Sequence, residues 1–184
     1  GVVVPPTAET QYKKYETGGI RKDGQPGFNT PSGKVEFVSE VLREAGFDGL
    51  PLWNEPVHSP VSTPEEFEKY PLILNTGSRV PMYTHTKERN IPWLNQFMPE
   101  PIVRLNPVDA EARGLVDGDR ARIFNDLGEI EMVVEVTNLV LPGCVDMFHG
   151  WVNANVNLLI SRDFDPITGY PPFKEGLCQV EKIA

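Results

Sequence analysis

The sequence contains only two cysteines, Cys144 and Cys178, among its 184 residues. They allow one disulfide at most. They do not form the C-x-x-C pair that iron–sulfur clusters, zinc ribbons and thioredoxin-type sites use, so we expect none of these sites in this chain. Both residues are expected to act as small buried hydrophobic side chains.

Positive charge and long apolar runs are also scarce. The chain has 17 basic and 26 acidic residues, which gives a formal net charge of −9. Nucleic-acid-binding faces and polybasic lipid-binding patches need clustered basic residues, so we expect neither kind of partner. No apolar run approaches the roughly 18 residues that a transmembrane helix needs, and we expect no direct membrane insertion. No signal-peptide pattern is visible, which leaves the compartment open between cytoplasmic and exported.

Proline and glycine, in contrast, are abundant. The chain has 18 prolines and 16 glycines, so that proline makes up about one residue in ten, roughly twice its usual frequency. This composition excludes a helix bundle and favours short strands and turns. The prolines are dense before residue 60. We therefore assign residues 1–70 to an extended arm and residues 71–184 to a folded domain.

Three short helices are indicated by residues that cap helix N-termini. The caps are Ser39, before a helix over residues 40–45; Thr63, with Glu66 completing a capping box; and Asn106, before Pro107 and a helix that ends at Gly114.

Short segments that are apolar or that alternate between polar and apolar residues predict strands. They cover residues 72–74, 102–105, 120–124, 129–136, 144–148 and 179–183. Residues 75–101 predict a long irregular stretch, which in a compact domain is often functional. Five or six short strands without βαβ alternation predict a mainly β fold that closes into a small barrel.

No catalytic motif is present. The sequence has no G-x-S-x-G elbow, Walker loop, H-E-x-x-H or G-x-G-x-x-G pattern, and its three histidines are far apart. We therefore assign neither a catalytic residue nor a metal ligand.

One loop has a composition that suits an anionic ligand. Residues 76–86 follow the first predicted strand and combine glycine, four hydroxyl groups, Arg79 and His85. Backbone N–H groups, hydroxyls and a guanidinium are common partners of phosphate oxygens. The loop therefore predicts a phosphate or pyrophosphate site, while a polar surface loop remains the alternative.

The order of the motifs resembles a known family. The loop is followed by Asn106-Pro107-x-Asp109-Ala110, Gly114-x-x-Asp117-Gly118-Asp119, a hairpin, Pro142-Gly143, His149-Gly150-Trp151, Asn157, Asp165-Pro166-x-x-Gly169 and Pro172-Phe173-Lys174. Together these pieces closely resemble the C-terminal molybdopterin-dinucleotide-binding domain of the dimethyl-sulfoxide-reductase family of molybdenum and tungsten enzymes. Residues 30–36 and 70–72 resemble the segment that precedes this domain in polysulfide/thiosulfate-reductase-like and acetylene-hydratase-like members.

The resemblance implies a fold and a function. The implied fold is a six-stranded double-psi β-barrel with short inserted helices and an arm that leads from a preceding domain. The implied function is to hold the dinucleotide and pterin of a bis-molybdopterin-guanine-dinucleotide cofactor, whose Mo or W the parent enzyme binds elsewhere. We expect the chain to be the C-terminal portion of a longer anaerobic oxidoreductase, rather than a separate small subunit, and to be inactive alone.

The resemblance also implies roles for single residues. Arg79 and His85 would be charged contacts to phosphate, with Thr84 and Thr86 as hydroxyl donors. Many family members lack a residue equivalent to Ser78. The full set of implied cofactor-binding residues is Thr76, Gly77, Ser78, Arg79, Thr84, His85, Thr86, Asn106, Asp109, His149, Trp151, Asn157 and Lys174.

Two of these assignments have alternatives. Asn106 and Asp109 would lie near the guanine, where a carboxylate can accept two N–H groups, but helix capping alone also explains them. Trp151, beside His149, would pack on the pterin or belong to the core.

The implied partners lie outside this chain. They are the remaining domains of the same catalytic subunit and an iron–sulfur electron-transfer subunit, and any iron–sulfur cluster would lie in those missing domains. A function of another class stays open, in which the barrel is a non-catalytic protein-interaction module and the proline-rich arm a docking strand.

Overall fold

The computed structural model describes residues 12–83 and 85–183. The chain divides into two units, residues 1–54 and 55–184. Residues 55–70, which the sequence analysis assigned to the arm, therefore group with the second unit. The assignment of an arm and a folded domain on either side of residue 70 stays a prediction.

The described part of the first unit consists mainly of turns. Its one helix, α1 (Glu40–Glu44), begins at Ser39, whose side chain accepts a hydrogen bond from the Leu42 N–H. This confirms the predicted cap, and Gly46 follows the helix with φ +85°. None of residues 12–54 belongs to the hydrophobic core.

The second unit begins with helix α2 (Pro64–Lys69). The predicted capping box at its start is wrong, because both side chains have other partners. The Thr63 hydroxyl donates to the Ser59 carbonyl and accepts from the Ser59 N–H, each at 3.2 Å. The Glu66 carboxylate is 2.7 Å from His58 Nδ1.

Six strands form a closed barrel in the order β1-β5-β2-β4-β3-β6. They are β1 (Leu72–Ser78), β2 (Ile102–Leu105), β3 (Arg120–Asn125), β4 (Gly128–Val136), β5 (Cys144–Phe148) and β6 (Gly176–Lys182). Short helices lie between them: α3 (Pro92–Asn95), α4 (Pro107–Glu111) and a 3₁₀ helix (Val156–Leu159). Among the described residues, no helix has the length and apolar character to cross a membrane.

The strand pairing identifies the barrel type. The pairs β1–β5 and β2–β4 are parallel, and the other four pairs are antiparallel. Exchanging β1, β2 and β3 with β4, β5 and β6, respectively, turns the pair β1–β5 into β4–β2 and reproduces the same six strand pairs. The barrel thus consists of two interlocked three-stranded halves, and this confirms the predicted double-psi fold.

The core fills the interior of this barrel. Alternate residues of β1 and β2, such as Leu72, Leu74 and Val103, are at most 2% exposed. Burying one such side chain contributes about 1.5–3 kcal/mol. Cys178 is fully buried, which raises the pKa of its thiol, whereas Cys144 is half-buried, and both are free.

The long irregular stretch predicted over residues 75–101 is partly wrong. Strand β1 continues to Ser78 because Asn75 pairs with Asp146 of β5, a contact between residues far apart in sequence. Helix α3 lies further along the same stretch. Residues 76–78, the first part of the predicted phosphate loop, therefore belong to a strand.

A histidine links α2 to the segment before β6. His58 Nδ1 is 2.7 Å from Glu66 Oε2 and its Nε2 is 3.0 Å from Asp163 Oδ2. Carboxylates only accept, so both ring nitrogens must donate and the imidazole is protonated. Partial burial lowers the pKa of His58, but the hydrogen bonds to the two carboxylates outweigh it and the pKa is raised.

We expect this contact to make stability depend on pH. A His with a raised pKa stabilises the fold fully below its unfolded value, about 6.5, and loses that contribution as pH rises through the native value. Thermal unfolding from pH 5.5 to 8.5 should therefore show the melting temperature falling more in the wild type than in His58→Gln. Parallel curves for the two proteins would contradict this account.

Candidate functional site

A cleft of about 610 Å³ forms where four segments meet. These are the end of β1, the loop at residues 85–86, residues 149–157 after β5, and residues 170–174 before β6. Nine of the predicted residues line the cleft: Thr76, Gly77, Arg79, His85, Thr86, His149, Trp151, Asn157 and Lys174. Residues that are up to 98 positions apart in the sequence are thus brought into one site.

The cleft is basic although the protein is acidic. No aspartate or glutamate is among the described residues that line it, whereas the chain has 26. Arg79 and Lys174 are exposed. Neither is ion-paired within the described part of the chain, in contrast to Arg104 and Arg120, which hold carboxylates. Two cations in a cleft without an acidic lining residue make a local positive potential that favours an anion.

Close packing of β1 against residues 173–174 shapes one wall. The Thr76 N–H and hydroxyl both donate to the Phe173 carbonyl, at 2.8 and 3.1 Å. A Cβ on Gly77 would lie 3.3 Å from Lys174 Cε. The absence of a side chain at Gly77 therefore lets the Lys174 side chain lie across the loop.

Two histidines that line the cleft are in contact with each other. His149 Nε2 is 2.8 Å from His85 Nδ1, so one ring donates and the other accepts. Burial of His149, together with the charges of His85 and Arg79, lowers its pKa below the usual value. The lowered pKa favours the neutral imidazole of His149, and an anion beside the ring would favour the charged one.

Trp151 is both a core residue and part of the cleft lining. It is 6% exposed, and its ring contacts Tyr83 edge-on at a centroid distance of 6.3 Å. The Arg89 guanidinium lies 5.6 Å from the Trp151 ring centroid. The indole Nε1 is buried without a hydrogen-bond partner among the described residues. This position is compatible with both alternatives for Trp151, packing on the pterin and packing in the core.

Gly150 lets two cleft segments approach closely. Its φ is +114°, in the region that favours glycine, and a Cβ there would lie 2.8 Å from the His85 carbonyl oxygen. Gly150 lies within the His149-Gly150-Trp151 motif, but no role was predicted for it. Five further residues complete the lining and were not predicted as site residues: Val152, Asn155, Val156, Tyr170 and Phe173. Phe173 belongs to the noted Pro172-Phe173-Lys174 run and Tyr170 lies two residues before it, but apolar and amide side chains gave no signal of a binding role.

Ser78 points away from the cleft. Asn75 pairs with Asp146 and Ser78 with Phe148, so β1 carries one more residue than β5 and bulges between these positions. The Ser78 hydroxyl donates to Asp146 Oδ1 at 2.5 Å, whereas Arg79 lines the cleft. Thr84, another predicted residue, lies outside the described residues.

Asn106 and Asp109 do not line the cleft. The Asn106 side chain caps α4 through the Val108 N–H and donates to the Val140 carbonyl at 2.8 Å. Asp109 Oδ2 accepts from the Gly143 N–H at 2.7 Å. Both residues thus tie α4 to the turn before β5, and their contact with guanine stays a prediction.

Comparisons with known proteins agree with the resemblance. Residues 72–177 match the family described as "Molydopterin dinucleotide binding domain". The chain is 32% identical to dopamine dehydroxylase of Eggerthella lenta, over 82% of this chain and 18% of the relative. It is also 32% identical to dimethyl sulfoxide reductase DmsA of Escherichia coli, over 89% of this chain and 22% of the relative. The chain thus spans about a fifth of the length of these relatives.

A solved structure shows the same fold. Acetylene hydratase from Pelobacter acetylenicus matches with a TM-score of 0.80 and 26% identity, over 89% of this chain and 25% of that chain. The match agrees with the resemblance drawn from the motif order.

The cleft fits the anionic, aromatic ligand of this family. It offers two cations, Arg79 and Lys174, that have no ion pair among the described residues, and the aromatic side chains of Trp151, Tyr170 and Phe173. The family match and the relatives show that the cofactor of this family is molybdopterin guanine dinucleotide. The chain belongs to the molybdopterin dinucleotide-binding domain family, homologous to the C-terminal domain of dimethyl sulfoxide reductase family enzymes.

Proposed function

We propose that the cleft between β1, residues 149–157 and residues 170–174 holds the phosphates and pterin of the dinucleotide. The observation that carries the proposal is that Arg79 and Lys174 face one acid-free cleft in a protein of net charge −9. Charge-assisted hydrogen bonds from such groups are the strong ones for phosphate. The cleft therefore supplies the two cations that a pyrophosphate needs.

Each wall has a distinct role in this proposal. Arg79 and Lys174 bind phosphate oxygens, and His149 donates or accepts a hydrogen bond according to its protonation. Trp151 and Tyr170 supply aromatic surface for the flat pterin ring. Asn157 offers an amide for its polar edge, since no described residue hydrogen-bonds that side chain. When bound, the cofactor supplies the metal and redox chemistry, and the chain supplies binding, orientation and electrostatics.

The parent protein is proposed to be a molybdenum or tungsten oxidoreductase. Residues 1–70 would lead from its preceding domains, and its partners would be those domains and an iron–sulfur subunit. The names of the relatives, dopamine dehydroxylase, dimethyl sulfoxide reductase and acetylene hydratase, describe three different reactions. We infer that the domain serves the shared cofactor and that other domains select the substrate.

Calorimetric titration of this chain with molybdopterin guanine dinucleotide tests the function. Because anion binding raises the lowered pKa of His149, affinity should increase as pH falls from 8 to 6. One unit of pKa shift corresponds to about tenfold, so we expect a gain of about three- to tenfold. His149→Gln should abolish the pH dependence, and the matched variant His58→Gln should retain it.

Two outcomes would contradict the proposal. Absence of binding by the wild type at millimolar dinucleotide would favour the protein-interaction module. Binding with the same pH dependence in wild type and His149→Gln would remove His149 from the site.

A further inference from the structure

We propose that Asp146 is a positioning residue that fixes the shape of the phosphate-binding end of β1 without touching the ligand. This inference rests on the proposed function of the cleft. Asp146 does not line that cleft. It acts through Asn75 and Ser78, which bracket Gly77 and precede Arg79.

Asp146 belongs to a row of polar side chains that crosses four neighbouring strands. The strand register places Asn75 of β1 opposite Asp146 of β5, Asp146 opposite Arg104 of β2, and Arg104 opposite Glu135 of β4. Asn75 Nδ2 donates to Asp146 Oδ1 at 2.7 Å, and Arg104 Nε donates to Glu135 Oε2 at 2.9 Å. The row therefore ends at Asn75, the last paired residue of β1 before the bulge.

The carboxylate decides which end of the Asn75 amide faces the bulge. A carboxylate only accepts, so the NH₂ group of Asn75 must point toward Asp146. The carbonyl oxygen then points the other way, where it accepts from the Gly77 N–H at 3.1 Å. The Asn75 side chain thus holds a backbone group inside the bulge, and Asp146 holds the Asn75 side chain.

The same carboxylate oxygen also orients the Ser78 side chain. The Ser78 hydroxyl donates to Asp146 Oδ1 at 2.5 Å. Successive side chains of an extended chain point to opposite faces. When Asp146 holds Ser78 on its side, Arg79 is directed to the other side, into the cleft.

The rest of the row balances the buried charge. Asp146 is only 9% exposed, and an unpaired carboxylate at that depth would be costly. Arg104 Nη1 lies 3.8 Å from Asp146 Oδ2, and the guanidinium packs over the Phe148 ring at 4.4 Å. The carboxylate is therefore held by one cation and two neutral donors, all of them outside the ligand cleft.

The test compares Asp146→Asn with a matched control. Asp117→Asn makes the same change of charge at a carboxylate that accepts the Val136 N–H at 2.9 Å and does not line the cleft. The first readout is amide hydrogen exchange of Gly77 without ligand, with the Val145 and Met147 amides as internal references for the barrel. The second is the affinity for molybdopterin guanine dinucleotide.

We expect Asp146→Asn to speed Gly77 exchange and to weaken dinucleotide binding by about tenfold, the equivalent of about 1.4 kcal/mol. The reference amides and both readouts in Asp117→Asn should stay as in the wild type. Because Asp146 acts through Ser78, adding Ser78→Ala to Asp146→Asn should weaken binding by less than the product of the two single effects.

The outcomes separate this inference from the proposed function. If the wild type does not bind the dinucleotide, the proposed function fails, and Gly77 exchange still tests Asp146. If Gly77 exchange is unchanged in Asp146→Asn while the reference amides are protected, the positioning role is overturned. Multiplicative effects of Asp146→Asn and Ser78→Ala on binding would overturn it as well.

Discussion

Replacing Arg79 by alanine is expected to weaken the binding of molybdopterin guanine dinucleotide by about 10- to 100-fold. Hydrogen bonds to charged groups contribute about 1.5–3 kcal/mol, and Arg79 lines the cleft with no carboxylate to compete for it. Stability should change little, because the side chain is exposed. Calorimetric titration and thermal unfolding of the same samples measure the two effects.

Arg122→Ala is the matched control for this prediction. Arg122 is also a barrel arginine, but its partly exposed side chain is paired with Glu129 and Glu181 on the outside of β3. Its replacement should leave dinucleotide affinity within about twofold of the wild type, since surface pairs contribute little. Equal losses in the two variants would mean that overall charge, and not the position of Arg79, governs binding.

Gly150→Ala is expected to lower the free energy of unfolding of the barrel unit by about 2–4 kcal/mol and to abolish detectable binding. Two costs add at this position. A residue with a Cβ is strained at φ +114°, and the new Cβ would lie 2.8 Å from the His85 carbonyl oxygen. Relief requires the two cleft segments to move apart, which displaces His85 and His149. Denaturant unfolding and calorimetry measure the result.

Gly118→Ala separates the two costs. Gly118 also has a positive φ, +84°, but a Cβ there would meet no atom within 4 Å. Only the backbone strain of about 1–2 kcal/mol should remain, and binding should be unaffected because Gly118 is not in the cleft. If Gly118→Ala impairs binding as much as Gly150→Ala, the close approach at Gly150 does not shape the site.

Local structure was largely predictable where neighbours in sequence determine it. The Asn106 cap, Pro107 and the turn between β3 and β4 follow from residues that contact each other within a few positions. The absence of a capping box at Thr63 could not be predicted from neighbouring residues, because the Glu66 side chain bonds to His58, eight residues earlier. The length of β1 likewise depends on β5, about 70 residues later.

The polar part of the cleft lining was largely predictable, whereas its role in binding stays a prediction. Motif order pointed to Arg79, His149 and Lys174, because their chemistry marks them in the sequence. The aromatic and backbone half was not, since Tyr170 and Phe173 look like ordinary apolar residues until the fold brings them to the cleft. The sequence also could not show which way Ser78 and Arg79 point. Only the bulge against β5 shows that Ser78 turns toward Asp146 and Arg79 toward the cleft.

The most direct measurement is an amide NMR titration of this chain with molybdopterin guanine dinucleotide. We expect saturable shift changes at Gly77, Arg79, Gly150 and Lys174, which belong to three separate segments of the cleft. These changes should be lost in Arg79→Ala at the same ligand concentration. Saturable changes elsewhere on the barrel, with these four amides unmoved, would contradict the claim that this cleft holds the cofactor.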